Sequence, residues 1–329
     1  MGNVFYAKDS QFSVLGFPIE SVEVLEYSTD PDGRIDIPGV RDRWSPSQIK
    51  SLLRCGAQYM YKYLDKLPDT WGSAAFIGNC VHAGAEQYLK TLRDGSSDIT
   101  EKESLEIALD GVRAYYDRQK AQDKIKDVKL GKRWYRGPND TEASMLTDAL
   151  TATTLLVRCI LPDVGTPIEV ERGYLIRWSD NTYPILCYPD LVSRKNGKEI
   201  IFDWKTSGRP KEVIALEDDI ALSFYAAARS VITGNLIEKA YYGNVIRTSP
   251  MTTAVLEVPI TADSLRRAYR ATRVVQETVN RGLYAPRWDG DGICKYCDFR
   301  EHCHKDWGQL SSVQSVKTIS KEMEPKQAA

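Results

Sequence analysis

"YPDLVSRKNGKEIIFDWKT" spans residues 188–206. Asn196-Gly197 lies between two strand-like runs, and this pair favours a two-residue type I′ turn because both central residues take positive φ. Pairing Lys195 with Lys198 and counting outward five residues on each strand places Asp190 opposite Asp203. In a non-hydrogen-bonded antiparallel pair such side chains have Cβ atoms roughly 4.5–5.5 Å apart. Lys205 follows two residues later and so projects from the same sheet face as Asp203. Two carboxylates at that spacing suit an oxygen-seeking divalent cation, Mg²⁺ or Mn²⁺. An ammonium beside such a cation can offset charge on a phosphoryl group. The bland alternative is a solvated sheet edge on which Lys205 merely neutralises two aspartates. A one-residue slip in register would turn every side chain to the other face.

Around this hairpin the chain alternates helices and strands. "WSPSQIKSLLRCGAQYMYKYL" (44–64) begins with Ser45 as a cap, Pro46 at the first helical position and Gln48 completing a capping box. "IGNCVHAGAEQYLKTL" (77–92) reads as a second helix, with His82 and Glu86 one turn apart. Residues 101–136 hold a charged helix and a loop rich in Lys and Gly, and a long helix runs from Asp140 to Ile160. Strands are expected within 168–178, 183–194 and 199–206, then a helix over 217–233. Strands over 239–246 and 254–260 follow, then a helix from the Thr261 cap to about Tyr284 and a polar tail over 311–329. This order predicts a mixed α/β (α+β) fold, a central sheet flanked by helices.

The chain has 329 residues, 42% of them apolar, enough for a full core, and its net charge of −1 supplies no global attraction to nucleic acid or membrane. A local basic groove remains compatible with that total. The longest uncharged run, Thr70 to Ala85, is too short and polar for a bilayer span. Of seven cysteines, three fall in "GDGICKYCDFREHCH" (290–304) together with His302 and His304. The odd count, without a basic apolar leader, implies reduced thiols and a cytoplasmic protein with thiols available for metal. By ligand type alone, three cysteines and one histidine would make a zinc site. Cys80, Cys159 and Cys187 lie on apolar runs and are expected to be buried thiols. Arg266, Arg270 and Arg273 recur at helical spacing, suiting either a phosphate track or a solvated face.

"YPDLV" followed thirteen residues later by "DWKT" resembles the Asp…(Asp/Glu)-x-Lys core of the PD-(D/E)XK nuclease superfamily. Its order of motifs is similar to the RecB-like branch that carries an iron–sulfur cluster, a branch that includes CRISPR adaptation and phage exonucleases. The resemblance runs from about residue 44 to residue 304 and is least diagnostic over 101–160. It implies a restriction-endonuclease-like core over 44–310 with a helical insertion (101–160), after an N-terminal extension (1–43). It implies that Asp190, Asp203, His82 and the Trp204 carbonyl hold Mg²⁺ or Mn²⁺, with Lys205 and Tyr225 completing the catalytic set. Glu171 resembles an acidic position that some members place near the metal. Cys55, Cys294, Cys297 and Cys303 would bind a 4Fe–4S cluster that staples the first helix to the chain end, 238 residues (56–293) intervening. By analogy with a disulfide, such a closure is worth on the order of 4–5 kcal/mol.

The function implied is a metal-dependent deoxyribonuclease, an exonuclease on single-stranded DNA ends in repair, recombination or phage replication. One departure matters: the helix after Lys205 has Ala221 where the family's Gln-x3-Tyr motif begins, and alanine can neither donate nor accept. A DNA-binding or assembly protein with little catalysis, which Ala221 favours, and a zinc-stabilised interaction module stand beside the nuclease reading.

Overall fold

The computed structural model describes residues 3–7, 18–25, 42–67, 72–95, 99–121, 141–209, 219–287 and 293–308. The expected Lys/Gly-rich loop and the polar tail lie outside them. Two sheets form the frame. One has the order β1 (Val4–Tyr6), β2 (Ile19–Val24), β4 (Tyr174–Trp178), β5 (Ile185–Cys187). The other has the order β3 (Thr166–Val170), β6 (Leu191–Lys195), β7 (Lys198–Ser207), β8 (Lys239–Ile246), β9 (Thr252–Pro259). This second sheet is mixed, since β7 and β8 pair in parallel and its other neighbours are antiparallel. Residues assigned to an N-terminal extension thus supply two strands of the first sheet.

The hairpin has the expected register. Lys195 pairs with Lys198 and Leu191 with Phe202, and Asn196 and Gly197 have φ of 53° and 76°. Both values are those a type I′ turn demands.

The helices are α1 (Pro46–Arg54), α2 (Gly56–Tyr59, continued by a π turn over Met60–Leu64), α3 (Ser73–Arg93) and α4 (Glu101–Ala121). They continue with α5 (Glu142–Cys159), α6 (Ile220–Thr233), α7 (Ala262–Asn280) and α8 (Arg300–Trp307). Ser45 with Gln48, and Thr261 with Ser264, form capping boxes at α1 and α7. Two cores sandwich the five-stranded sheet. On one face Ile201, Ala240 and Tyr242 pack with α1, α6, α7 and the four-stranded sheet. On the other, Phe202, Trp204 and Val245 pack with α3, α4 and α5. The helices of the 101–160 region therefore share a core with the sheet. α5 and its continuation to Asp163 are long and apolar enough to cross a bilayer, but Met145, Ala149, Ala152 and Leu156 are buried in that core.

The structure corrects three local expectations. The first helix is not continuous: Cys55 is extended (φ −163°, ψ 115°) and separates α1 from α2. A Cβ at Gly56 would meet the Tyr284 and Ala285 backbone at 2.8 Å, so the crossing of this segment demands glycine there. The single strand expected over 168–178 is two strands in different sheets, split at Glu171, whose φ is 50°. Cys159 is exposed, at the last turn of α5, whereas Cys80 and Cys187 are buried as expected.

Candidate active site

Tyr188-Pro189-Asp190 sets up the site by delaying the start of a strand. Proline has no N–H to give a ladder, and β6 begins only at Leu191. β7 runs on to Ser207, so from Asp203 onward it pairs with β8 alone. The Trp204 backbone groups on the vacated side are thereby released. Asp190 Oδ2 accepts the Trp204 N–H at 2.5 Å, and the Trp204 carbonyl lies 3.2 Å from His82 Nε2. His82 projects from α3, and its Nδ1 lies 3.3 Å from Asp190 Oδ1 and 3.7 Å from Glu171 Oε1. Glu171 arrives through the positive-φ kink between β3 and β4.

Asp203 and Lys205 share a face of β7 and form an ion pair. Asp203 Oδ2 is buried and, apart from that ammonium, meets no hydrogen-bond donor. Tyr225, one turn after Ala221 on α6, is buried near both aspartates. Among the described residues, His82, Glu171 and Asp190 offer ligand atoms within 4.8 Å of one another. Hard carboxylate oxygens, an imidazole and a released carbonyl at one point are a donor set that fits a divalent cation.

The electrostatics state the same fit in energetic form. Burial opposes a charged imidazole at His82, but Asp190 and Glu171 outweigh it and hold its pKa well above the ordinary histidine value. Burial, with the charge of Asp190, pushes Glu171 up to about 7. Asp203 is likewise raised, first by burial and then by Asp190, against the pull of Lys205. Asp190 goes the other way, because His82 and Lys205 more than offset its burial. Lys205 is held protonated by Asp203 and Asp190 in spite of burial. A cation must displace protons from Glu171 and His82 to bind. Mn²⁺ affinity measured by calorimetry should therefore weaken as pH falls from about 8 to about 6, approaching tenfold per pH unit for each ligand being protonated. A flat profile across that range would contradict this arrangement.

The cysteine group lies apart from these residues. Cys55, Cys297 and Cys303 pack against the small core of Ala57, Tyr61 and Phe299. The backbone of Arg287 bridges Cys55 and Cys294, donating its N–H to Cys55 Sγ at 3.4 Å and accepting from Cys294 Sγ at 3.3 Å. Burial raises the Cys303 thiol, and the proximity of Cys55, Cys297 and Cys294 raises it further. The four thiols therefore converge, although among the described residues no three of them come within 4.8 Å of one another.

Other sequence-derived candidates are placed as follows. Arg266 is paired with Asp263, and Arg273 with Asp180 at 2.5 Å, on α7, which also carries Arg270. Glu86 pairs with Lys90 at 2.5 Å rather than with His82. Ala221 is buried, and its N–H is capped by Asp219.

A family model described as the PD-(D/E)XK nuclease superfamily matches residues 43–304. The chain belongs to the PD-(D/E)XK nuclease superfamily. It is a nuclease by family, with DNA as the implied partner, and its mixed sheet flanked by helices is consistent with the restriction-endonuclease-like fold. No curated protein matches this nuclease. A solved structure described as a candidate exonuclease from Eubacterium rectale is 13% identical, with a TM-score of 0.49 over 84% of this chain and 92% of that one. The structure of SSO0001 is 19% identical over 57% of this chain and 80% of that one, at a TM-score of 0.30. Protein VC1899 from Vibrio cholerae is 12% identical over 75% and 59%, at a TM-score of 0.20.

Proposed function

We propose that this nuclease is a Mg²⁺- or Mn²⁺-dependent exodeoxyribonuclease of the RecB-like branch, acting on single-stranded DNA ends in repair, recombination or phage replication. The convergence of Asp190, Glu171, His82 and the Trp204 carbonyl, with Asp203 and Lys205 beside them, carries the reading. A divalent cation bound there would polarise a phosphoryl oxygen and lower the pKa of water. Asp190, Asp203 and Glu171 supply hard oxygens, and His82 and the Trp204 carbonyl complete the set. Lys205, kept protonated by its two aspartates, donates to a non-bridging phosphate oxygen and offsets charge in the transition state. Burial, then Asp203 and Asp190, raise the Tyr225 hydroxyl, which stays protonated as a second donor.

Cys55, Cys294, Cys297 and Cys303 would hold a 4Fe–4S cluster tying α1 to the chain end. Residues 44–310 would act as one cytoplasmic nuclease domain, with Arg266, Arg270 and Arg273 following the DNA backbone. Ala221 favours a second reading, a weakly catalytic DNA-binding protein, since its methyl group offers nothing to substrate or water.

Digestion of end-labelled single-stranded DNA with Mn²⁺ separates the two. The wild type should release label, and Lys205→Ala should lose about 10²–10³ in rate. No digestion by either, with DNA still bound, would favour the second reading and make Ala221→Gln the next variant.

A further inference from the structure

An ion pair outside the catalytic set joins α1 to the start of α6. Lys50 Nζ lies 2.5 Å from Asp219 Oδ1, and the two side chains are 42% and 11% exposed. The same Asp219 oxygen accepts the Ala221 N–H at 2.9 Å, which fixes the carboxylate at the helix start. Asp219 is not a remote surface acid. Its charge is among those that hold Lys205 protonated, and the Tyr242 hydroxyl, on the β8 residue paired with Asp203, approaches it. One carboxylate therefore pairs with an outer ammonium, Lys50, and lends its charge to an inner one, Lys205. As a staple the pair gains little, because half-exposed ion pairs contribute only about 0–1 kcal/mol and order a long side chain.

We propose that Lys50 is the outer phosphate-gripping residue of this site, parked on Asp219 in the free protein and transferred to a backbone phosphate of the bound strand. This rests on the nuclease reading. An ammonium on a flexible stem suits such an exchange, since it needs no bidentate geometry.

The test is binding of a fluorescent single-stranded oligonucleotide by anisotropy, with Ca²⁺ replacing the catalytic cation, over a range of salt. Lys50→Ala should weaken binding about 3–10-fold and flatten the slope of log affinity against log salt by about 0.7, the contribution of one phosphate contact. Lys50→Arg should restore both. Asp219→Asn should tighten binding, and that gain should vanish in the double variant with Lys50→Ala, because it acts by releasing Lys50. Unchanged affinity and slope in Lys50→Ala overturn the proposal, whatever happens to melting temperature. An Asp219→Asn gain that persists without Lys50 does so as well. A wild type that binds and digests DNA while Lys50→Ala is indistinguishable from it removes this inference alone, whereas a wild type that does neither removes the nuclease reading too.

Discussion

Asp203→Asn should lose about 10³-fold in nuclease activity while the metal-free protein becomes more stable. The first effect follows from taking a hard anionic oxygen from the cation site and the partner from Lys205. The second follows from the raised pKa of Asp203, whose largest cause is burial. A carboxyl with a pKa higher in the folded state than in the unfolded one binds its proton more tightly when folded. Its ionisation therefore costs stability, and the cost grows as pH rises through the raised pKa. Asparagine keeps an acceptor for Lys205 but removes the charge, so its stability gain should be larger at alkaline than at acidic pH. Thermal melts with chelator present read this directly. Mn²⁺ should raise the wild-type melting temperature by mass action and leave that of the variant nearly unmoved. A variant that is less stable than wild type at every pH would show that the Lys205 pair, not the cation, justifies the buried charge.

The hairpin was legible because its determinants are local. Asn196-Gly197 dictates one turn type, and the turn dictates the register that carries Asp190 toward Asp203. Pro189 acts through the backbone: with no N–H to offer, it delays the start of β6 and leaves free the Trp204 carbonyl that faces His82. The break at Glu171 was not legible, because "IEVERGYLIRW" has unbroken strand character and only the assignment of β3 and β4 to different sheets forces the kink. Glu171 entered the reading by family likeness alone. The electrostatic influence of Asp219 on Lys205 had no sequence signal beyond an acid preceding a helix, because 13 residues (206–218) separate Lys205 from Asp219 and nothing periodic links them. The interruption of the first helix at Cys55 was hidden for the opposite reason. Strong local propensity on both sides masks a break imposed by packing against Tyr284 and Ala285.

That packing gives the cysteine site its expected effect. Cys303→Ser should strip the visible absorption of an iron–sulfur protein and lower stability by on the order of 4–5 kcal/mol, the value of closing a loop of this length. The loss should be local at first. Cys55 stands at the junction of α1 and α2, Arg287 bridges it to Cys294, and Phe299 and Tyr61 bury the space between. Without the staple, α8 and the segment carrying Cys294 and Cys297 lose their main tie to the body. Tyr61 still holds α8 through its hydrogen bond to Asp306 and its ring contacts with Phe299 and His302. Hydrogen exchange should therefore rise first over 293–308 and α2, while β7 and β8 stay protected within the two cores. The active site is built on those protected strands and on α3, so residual nuclease activity should survive at low temperature and disappear on mild warming. Iron and sulfide analysis of the wild type, about four of each per chain, is the companion measurement. A colourless protein holding one zinc, with Cys303→Ser losing that zinc, would replace the cluster by a zinc staple and leave the stability argument standing.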